Sequence, residues 1–145
     1  MHIIKAKIQH LEDLLPLFDG YRIFYRQNSN LERAKVFLKE RLTKNDTFIY
    51  LAYVNEKPAG FTHLFHSFSS VSMQPIFILN DLYVDSNYRK QGVGVALMNQ
   101  AKKTCKALKY KGIGLQTETI NPAQHLYESL GWKKDPDLQY FWLND

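Results

Sequence analysis

The segment IFILNDLYV, Ile76–Val84, reads as a long apolar strand, and shortly after it the pattern turns helical. Leu97, Ala101, Cys105 and Leu108 recur on one face of that helix, with Lys102, Lys106 and Lys109 on another. Between strand and helix lies Tyr88-Arg89-Lys90-Gln91-Gly92-Val93-Gly94, two cations followed by two glycines. A strand running straight into an amphipathic helix commits the chain to helices layered on a sheet. It also exposes the N–H groups of a helix start at the loop, where partial positive charge favours an anion.

The rest of the chain alternates in the same way. Ile3–Ile8 is a first short strand, and Leu11, Leu14, Leu15, Phe18 and Tyr21 follow at helical spacing, with Pro16 and Gly20 expected to kink or interrupt that helix. Ser29 and Glu32 form a capping-box pattern ahead of Leu31, Ala34, Leu38 and Leu42. Phe48–Val54 and Gly60–Phe65 are strands about the turn Asn55–Pro58, and the serine-rich HSFSSVSM reads as a loop. Gly112–Glu118 is the next strand, Asn121 and Pro122 open a short helix that ends before Gly131, and Trp132–Lys134 and Gln139–Leu143 are final short strands. The expectation is one α/β (α+β) domain spanning 1–145, a mixed central sheet with helices on both faces.

A chain of 145 residues, 45% hydrophobic and 23% charged, is an ordinary soluble globular composition with one sizeable core. No apolar run approaches the roughly 18 residues of a membrane span, and Met1–Lys5 lacks a signal peptide's apolar core. The single Cys105 precludes an internal disulfide and fits a reducing compartment, so a cytoplasmic protein without a membrane partner is expected. The net charge of +5 asks for an anionic partner: nucleic acid, an acidic surface or a phosphate-bearing cofactor.

Known phosphate loops narrow this. A Walker loop needs Gly-Lys-Ser/Thr, which is absent, and a dinucleotide fingerprint needs a glycine where Leu97 stands. The loop RKQGVG, Arg89–Gly94, instead resembles the cofactor motif Arg/Gln-x-x-Gly-x-Gly/Ala of the GNAT superfamily of N-acetyltransferases. A second block, NPAQHLYESLGW, is similar to that family's Ala-x-x-Leu-Tyr-Glu-x-Leu-Gly-Phe/Trp segment at Ala123, Leu126, Tyr127, Glu128, Leu130, Gly131 and Trp132. In the family an asparagine commonly stands three residues before the alanine; Asn121 stands two before it, so it is either a cofactor contact or a plain helix cap. The specific motifs cover about 76–132, and the element order extends the resemblance over nearly the whole chain.

The resemblance implies roles. Acetyl-coenzyme A would lie between splayed strands, its pyrophosphate on Arg89, Lys90, Gln91, Gly92, Val93, Gly94 and Val95, its pantetheine along Leu82, Tyr83 and Val84. The N–H of Val84 would support the thioester carbonyl, and Tyr127 would be the general acid for the departing thiolate. Related diamine acetyltransferases carry a glutamate at Asn80 and an aspartate at Asp81. Asn80 cannot be a base, strand alternation turns Asp81 to the opposite face, and Glu118 or solvent are the other candidates. The base stays open.

The acceptor groove in this family is built by the segments GYRIFYRQNSN and HSFSSVSMQ. Tyr21, Phe24, Tyr25 and Phe68 could wall it, Asn80 would border it, and Arg22 and Arg26 could hold a carboxylate. These segments lack clustered acids, which favours a carboxylate-bearing amine or a peptide over a polyamine; a lysine side chain, as in protein and histone acetyltransferases, also fits. His2, His10, His63, His66 and His125 show no metal-ligand spacing, so no metal is expected. The lysines from 102 to 111 lack the interleaved aromatics of a nucleic-acid surface and read as a solvated face. A regulatory domain that binds cofactor without catalysis is the alternative function, and a homodimer is compatible with the chain.

Overall fold

The computed structural model describes residues 1–137 and 139–144. In chain order it contains β1 (His2–Lys5), α1 (Leu11–Phe24), α2 (Leu31–Lys44), β2 (Thr47–Val54), β3 (Lys57–Ser69), β4 (Gln74–Val84), α3 (Val93–Ala107), β5 (Ile113–Gly114) and α4 (Ala123–Ser129). The sheet order is β1-β2-β3-β4-β5. All neighbours are antiparallel except β4 and β5, which are parallel.

Alternation along the strands builds two cores. Ile49, Leu51 and Phe61 meet Leu11, Leu14, Phe18 and Leu38 of α1 and α2 on one face. Ala52, Leu64, Phe77 and Leu79 meet Val93, Leu97, Met98 and Ala101 of α3 on the other, with Leu126, Tyr127 and Trp132 packed at the margin. The expected mixed sheet with helices on both faces is the fold observed. Lys102 departs from the solvated-face reading: its ammonium donates to the Leu130 carbonyl and ties α4 to α3.

Several elements differ from the sequence reading. The first strand ends at Lys5, and Ile8–His10 is a 3-10 turn. The cap is displaced by one and no capping box forms: Asn30 is the N-cap of α2 and accepts from Arg33 N–H at 3.0 Å. Ser29 instead donates to the buried Asp19 carboxylate at 2.6 Å, which also accepts from Asn30 N–H. The first half of HSFSSVSM is strand and only Ser70–Met73 is the expected loop, because β3 and β4 pair as far as Ser69 and Gln74 in a hairpin whose ladder is backbone-made and needs no apolar run. Of Gly112–Glu118, only Ile113–Gly114 pairs. Among the described residues, Trp132–Lys134 and Gln139–Leu143 are not strands; Tyr140, Phe141 and Trp142 are exposed and unpaired.

Helix α1 also runs unbroken through Pro16 and Gly20. Gly20 has a packing reason, since a Cβ there would lie 2.8 Å from Tyr83 Oη and 3.0 Å from its Cζ. Helix propensity alone would make Gly20→Ala stabilising by about 0.5–1 kcal/mol, but overpacking costs about 1–3 kcal/mol. Gly20→Ala is therefore expected to lower stability in urea unfolding of the wild-type background. In a Tyr83→Ala background the same substitution should raise it.

Candidate active site

The loop flagged in the sequence ends at an uncapped helix. Gly92 is the N-cap of α3 with φ 83°, no side chain caps it, and the first turn holds no acidic residue. The first helical bond runs from Ala96 N–H to Gly92 O, which leaves the N–H groups of Val93, Gly94 and Val95 without helical partners. A Cβ on Gly92 would meet nothing within 4 Å, so the approach to these donors is open. Lys90 and Gln91 are exposed beside them. Arg89 braces the strand end: its Nε donates to Val84 O at 3.1 Å and its guanidinium lies 6.0 Å from the Tyr83 ring.

Next to this cradle the sheet opens. β5 pairs with β4 only at Phe77↔Ile113 and Ile78↔Gly114 and then leaves it. Asp85 N–H bonds Ala59 O at 2.9 Å, which fixes the phase of the antiparallel ladder. By alternation, Tyr83 bonds toward β3, while the backbone N–H groups of Leu82 and Val84 face the side that β5 has vacated. Arg89 occupies the Val84 carbonyl and leaves its N–H as a free donor. The Leu82 and Val84 side chains pack on the α3 face; the Tyr83 side chain goes to the α1 face against Gly20.

On the α1 face, a register shift between His63 and Leu64 skips Asn80: His63 opposes Asp81 and Leu64 opposes Leu79. This bulge corrects the simple alternation that turned Asp81 away. Asp81, 3% exposed, shares a face with Tyr83 and receives His63 Nδ1 at 3.1 Å and Asn80 Nδ2 at 2.7 Å. The Tyr21 hydroxyl donates to Asn80 O at 3.0 Å. Burial first, then the Asp81 charge and Tyr25, push the Tyr21 phenol far above its ordinary range. Burial first, then Glu118 and Asp81, raise Tyr25. Burial first, then Tyr25, raise Tyr127, while the neighbouring Thr117 hydroxyl opposes the shift. Tyr21 reaches the Asn80 carbonyl at the β4 bulge, and Arg26, just past α1, reaches Glu118 in the chain after β5, so these segments meet beside the sheet.

The arginines are committed differently from expectation. Arg22 Nη1 donates to Asn28 O at 3.0 Å and holds the α1–α2 turn. Arg26, with φ 66°, reaches Glu118 at 3.4 Å, an exposed pair at the rim. Phe24 is exposed and leans edge-on against Tyr25. Phe68, 79% exposed, pairs with Pro75 far down the hairpin and stands outside this cluster. Asn121 Oδ1 accepts from Ala123 N–H at 2.9 Å from one position ahead of the helix, since Pro122 and not Asn121 is the N-cap of α4. Among the described residues no group of three or more His, Cys, Asp or Glu side chains could hold a metal ion. No described helix is long and apolar enough to cross a membrane.

A free helix start beside a strand gap is open to an anion, and comparison with known proteins identifies the family in which the chain belongs. The acetyltransferase (GNAT) domain family matches residues 45–134. The uncharacterized N-acetyltransferase YhfO of Bacillus subtilis is 42% identical over 99% of this chain and 97% of its own. A probable acetyltransferase of Haemophilus influenzae is 32% identical over 99% of this chain and 98% of its own. The crystal structure of a probable acetyltransferase, 36% identical, superposes with a TM-score of 0.92 over 100% of this chain and 98% of that one. The chain belongs to the GNAT family of acetyltransferases.

A carboxylate in the cradle separates helix stability from anion binding. Position 94 is the second residue of α3, where a Cβ would make only ordinary contacts of 3.8 Å with Leu126 and Val84. An aspartate there complements the helix dipole, so Gly94→Asp should leave the melting temperature of the free protein unchanged or raised. Calorimetry with coenzyme A as the anion should show affinity at least about tenfold weaker, a loss on the order of 1.4 kcal/mol.

Proposed function

We propose that the protein transfers the acetyl group of acetyl-coenzyme A directly to a primary amine, on a small molecule or a lysine side chain. The observation that carries this reading is the conjunction of the uncapped α3 start with the outward Val84 N–H at the β4–β5 gap. The bound cosubstrate would supply an acetyl thioester. The backbone of Val93–Val95, with Lys90 and Gln91 alongside, is suited to its diphosphate, and Leu82 and Val84 to its pantetheine arm, which would pair like an added strand.

Val84 N–H is a fixed donor for the thioester carbonyl, whose oxygen gains charge as the amine attacks. Tyr127 Oη holds a proton for the departing sulfur. Its raised pKa keeps the phenol protonated through neutral pH. The tyrosines and the carboxylates of Asp81 and Glu118 make the acceptor side suited to an ammonium, which supplies the acidic character that the two groove segments lack. Arg22 is spent on the α1–α2 turn, so Arg26 alone remains to meet an acceptor carboxylate, by exchanging it for Glu118. Cys105 is unsuited to a covalent route: it is 7% exposed in the α3 core, its Sγ faces Tyr110 O, and burial pushes its thiol up.

Thiol release from acetyl-coenzyme A, followed with a panel of amino acids, polyamines, aminoglycosides and lysine peptides, tests the function. Tyr127→Phe keeps the ring and its packing, so coenzyme A affinity should persist while kcat falls about 10²-fold. Cys105→Ala should stay active, with no acetylated enzyme in intact-mass spectra. Full activity of Tyr127→Phe would remove the acid role, and a folded but inactive Cys105→Ala would point to an acetyl-enzyme.

A further inference from the structure

Helix α1 ends in a backbone form that favours glycine, and the chain places an arginine there. Arg26 has φ 66°, its N–H donates to Ile23 O at 2.9 Å, and Gln27 N–H donates to Arg22 O at 3.0 Å. Those two bonds are the left-handed closure of a helix, in which a residue with a Cβ is strained. A cation suits the negative end of a helix, but that attraction does not decide where the side chain points. The turn beyond is held as well: Arg22 Nη1 donates to Asn28 O, and the Asp19 carboxylate accepts from Ser29 Oγ and Asn30 N–H. Arg26 therefore leaves a fixed backbone, and its guanidinium reaches Glu118, 92 residues further on.

The pair is a poor contact for the fold. Its N···O separations are 3.4 and 3.5 Å, and its side chains are 73% and 40% exposed. Exposed pairs of this kind add little to stability, so backbone strain at Arg26 calls for another reason. Its place supplies one. Arg26 follows Tyr25, whose ring packs on Tyr21 at 5.1 Å, and the Tyr21 hydroxyl reaches the β4 bulge. Glu118 lies against α4, its carbonyl accepting from Gln124 Nε2 at 3.4 Å. The two opposite charges thus bridge the end of α1 and the start of α4, on the acceptor side of the gap that β5 leaves.

We infer that Arg26 selects acceptors that carry a carboxylate close to the reacting amine, and that Glu118 holds its place until such an acceptor arrives. The inference rests on the transferase reading and names the acceptor class: a free amino acid or a similar small amino carboxylic acid. Such a zwitterion matches both members of the pair. Its carboxylate replaces Glu118 on the guanidinium fork, a shape that binds carboxylates bidentately. Its ammonium meets the charge that Glu118 then offers. No charge is left without a partner. A diamine would bring a second cation against Arg26, and a simple alkylamine would gain nothing from it. The exchange is easy because the pair it breaks is long and solvated.

The test uses the full chain and thiol release from acetyl-coenzyme A. It compares amino acids with the amines left when their carboxyl group is removed, lysine with cadaverine and β-alanine with ethylamine. In the wild type, kcat/KM should be at least about tenfold higher for the carboxylate-bearing member, the range of one hydrogen bond between charged groups. Arg26→Gly should reduce that ratio about tenfold through the KM of the amino acid, with coenzyme A affinity held within about twofold. Glu118→Gln removes the competing carboxylate and should raise the ratio. Because glycine relieves the backbone at position 26, Arg26→Gly should leave the melting temperature unchanged or raised. A ratio near one in the wild type, a ratio that survives Arg26→Gly, or release from lysine peptides alone would overturn the inference while leaving the transferase reading intact. Thiol release from no amine by the unmodified protein would overturn both.

Discussion

One unpaired residue organises this site. By skipping Asn80 in the ladder, the β3–β4 register shift changes the phase of β4 halfway along its length. Below the bulge, Phe77 directs its N–H to Gly112 of the strand that leads into β5. Above it, Leu82 and Val84 do the same toward a strand that is no longer there, while Asp81 and Tyr83 take the α1 face. Without the extra residue, the upper half of β4 would present the opposite set of groups to each side. The backbone donors of Leu82 and Val84 and the carboxylate of Asp81 would then exchange sides.

The gap and the bulge depend on each other. A strand continued alongside Leu82–Val84 would consume the donors that the phase change frees, and β5 ends after Gly114. The chain beyond it bends toward α1 and α4, where Thr117 meets Tyr127 and Glu118 meets Arg26. Gly20 completes the arrangement from the other side. Because it has no Cβ, α1 lies close enough for the Tyr83 ring to fill the space and for Tyr21 to reach the Asn80 carbonyl.

Much of this was legible in the sequence, and the division follows from how local each signal is. Helix α3 and its glycine loop, β2, β4 and α4 were readable because spacing, a cap residue and turn residues act within a few positions. The α2 cap was missed by one because Ser29 and Asn30 both suit the role, and the buried Asp19 from another helix takes Ser29. The hairpin end was read as a loop because its serines carry no apolar alternation, although backbone pairing suffices there. Gln139–Leu143 has strand composition yet finds no partner among the described residues. Composition licenses a strand; pairing makes one.

The least legible feature is the buried pair that the bulge creates. His63 and Asp81 stand 18 positions apart, and no periodicity relates them. Reading alternation straight through β4 puts Asn80 on the α1 face and Asp81 on the α3 face; only the partner strand's register reverses that. The bulge replaces a residue with no basic lone pair by a carboxylate, at a depth where solvent cannot substitute for its hydrogen bonds. A buried carboxylate there would be costly if it were left alone. The imidazole and the Asn80 amide meet that cost and, in the same contacts, fix where its lone pairs point. His63 therefore matters to the fold for more than its volume: without its ring nitrogen, one buried oxygen of Asp81 would lose its partner.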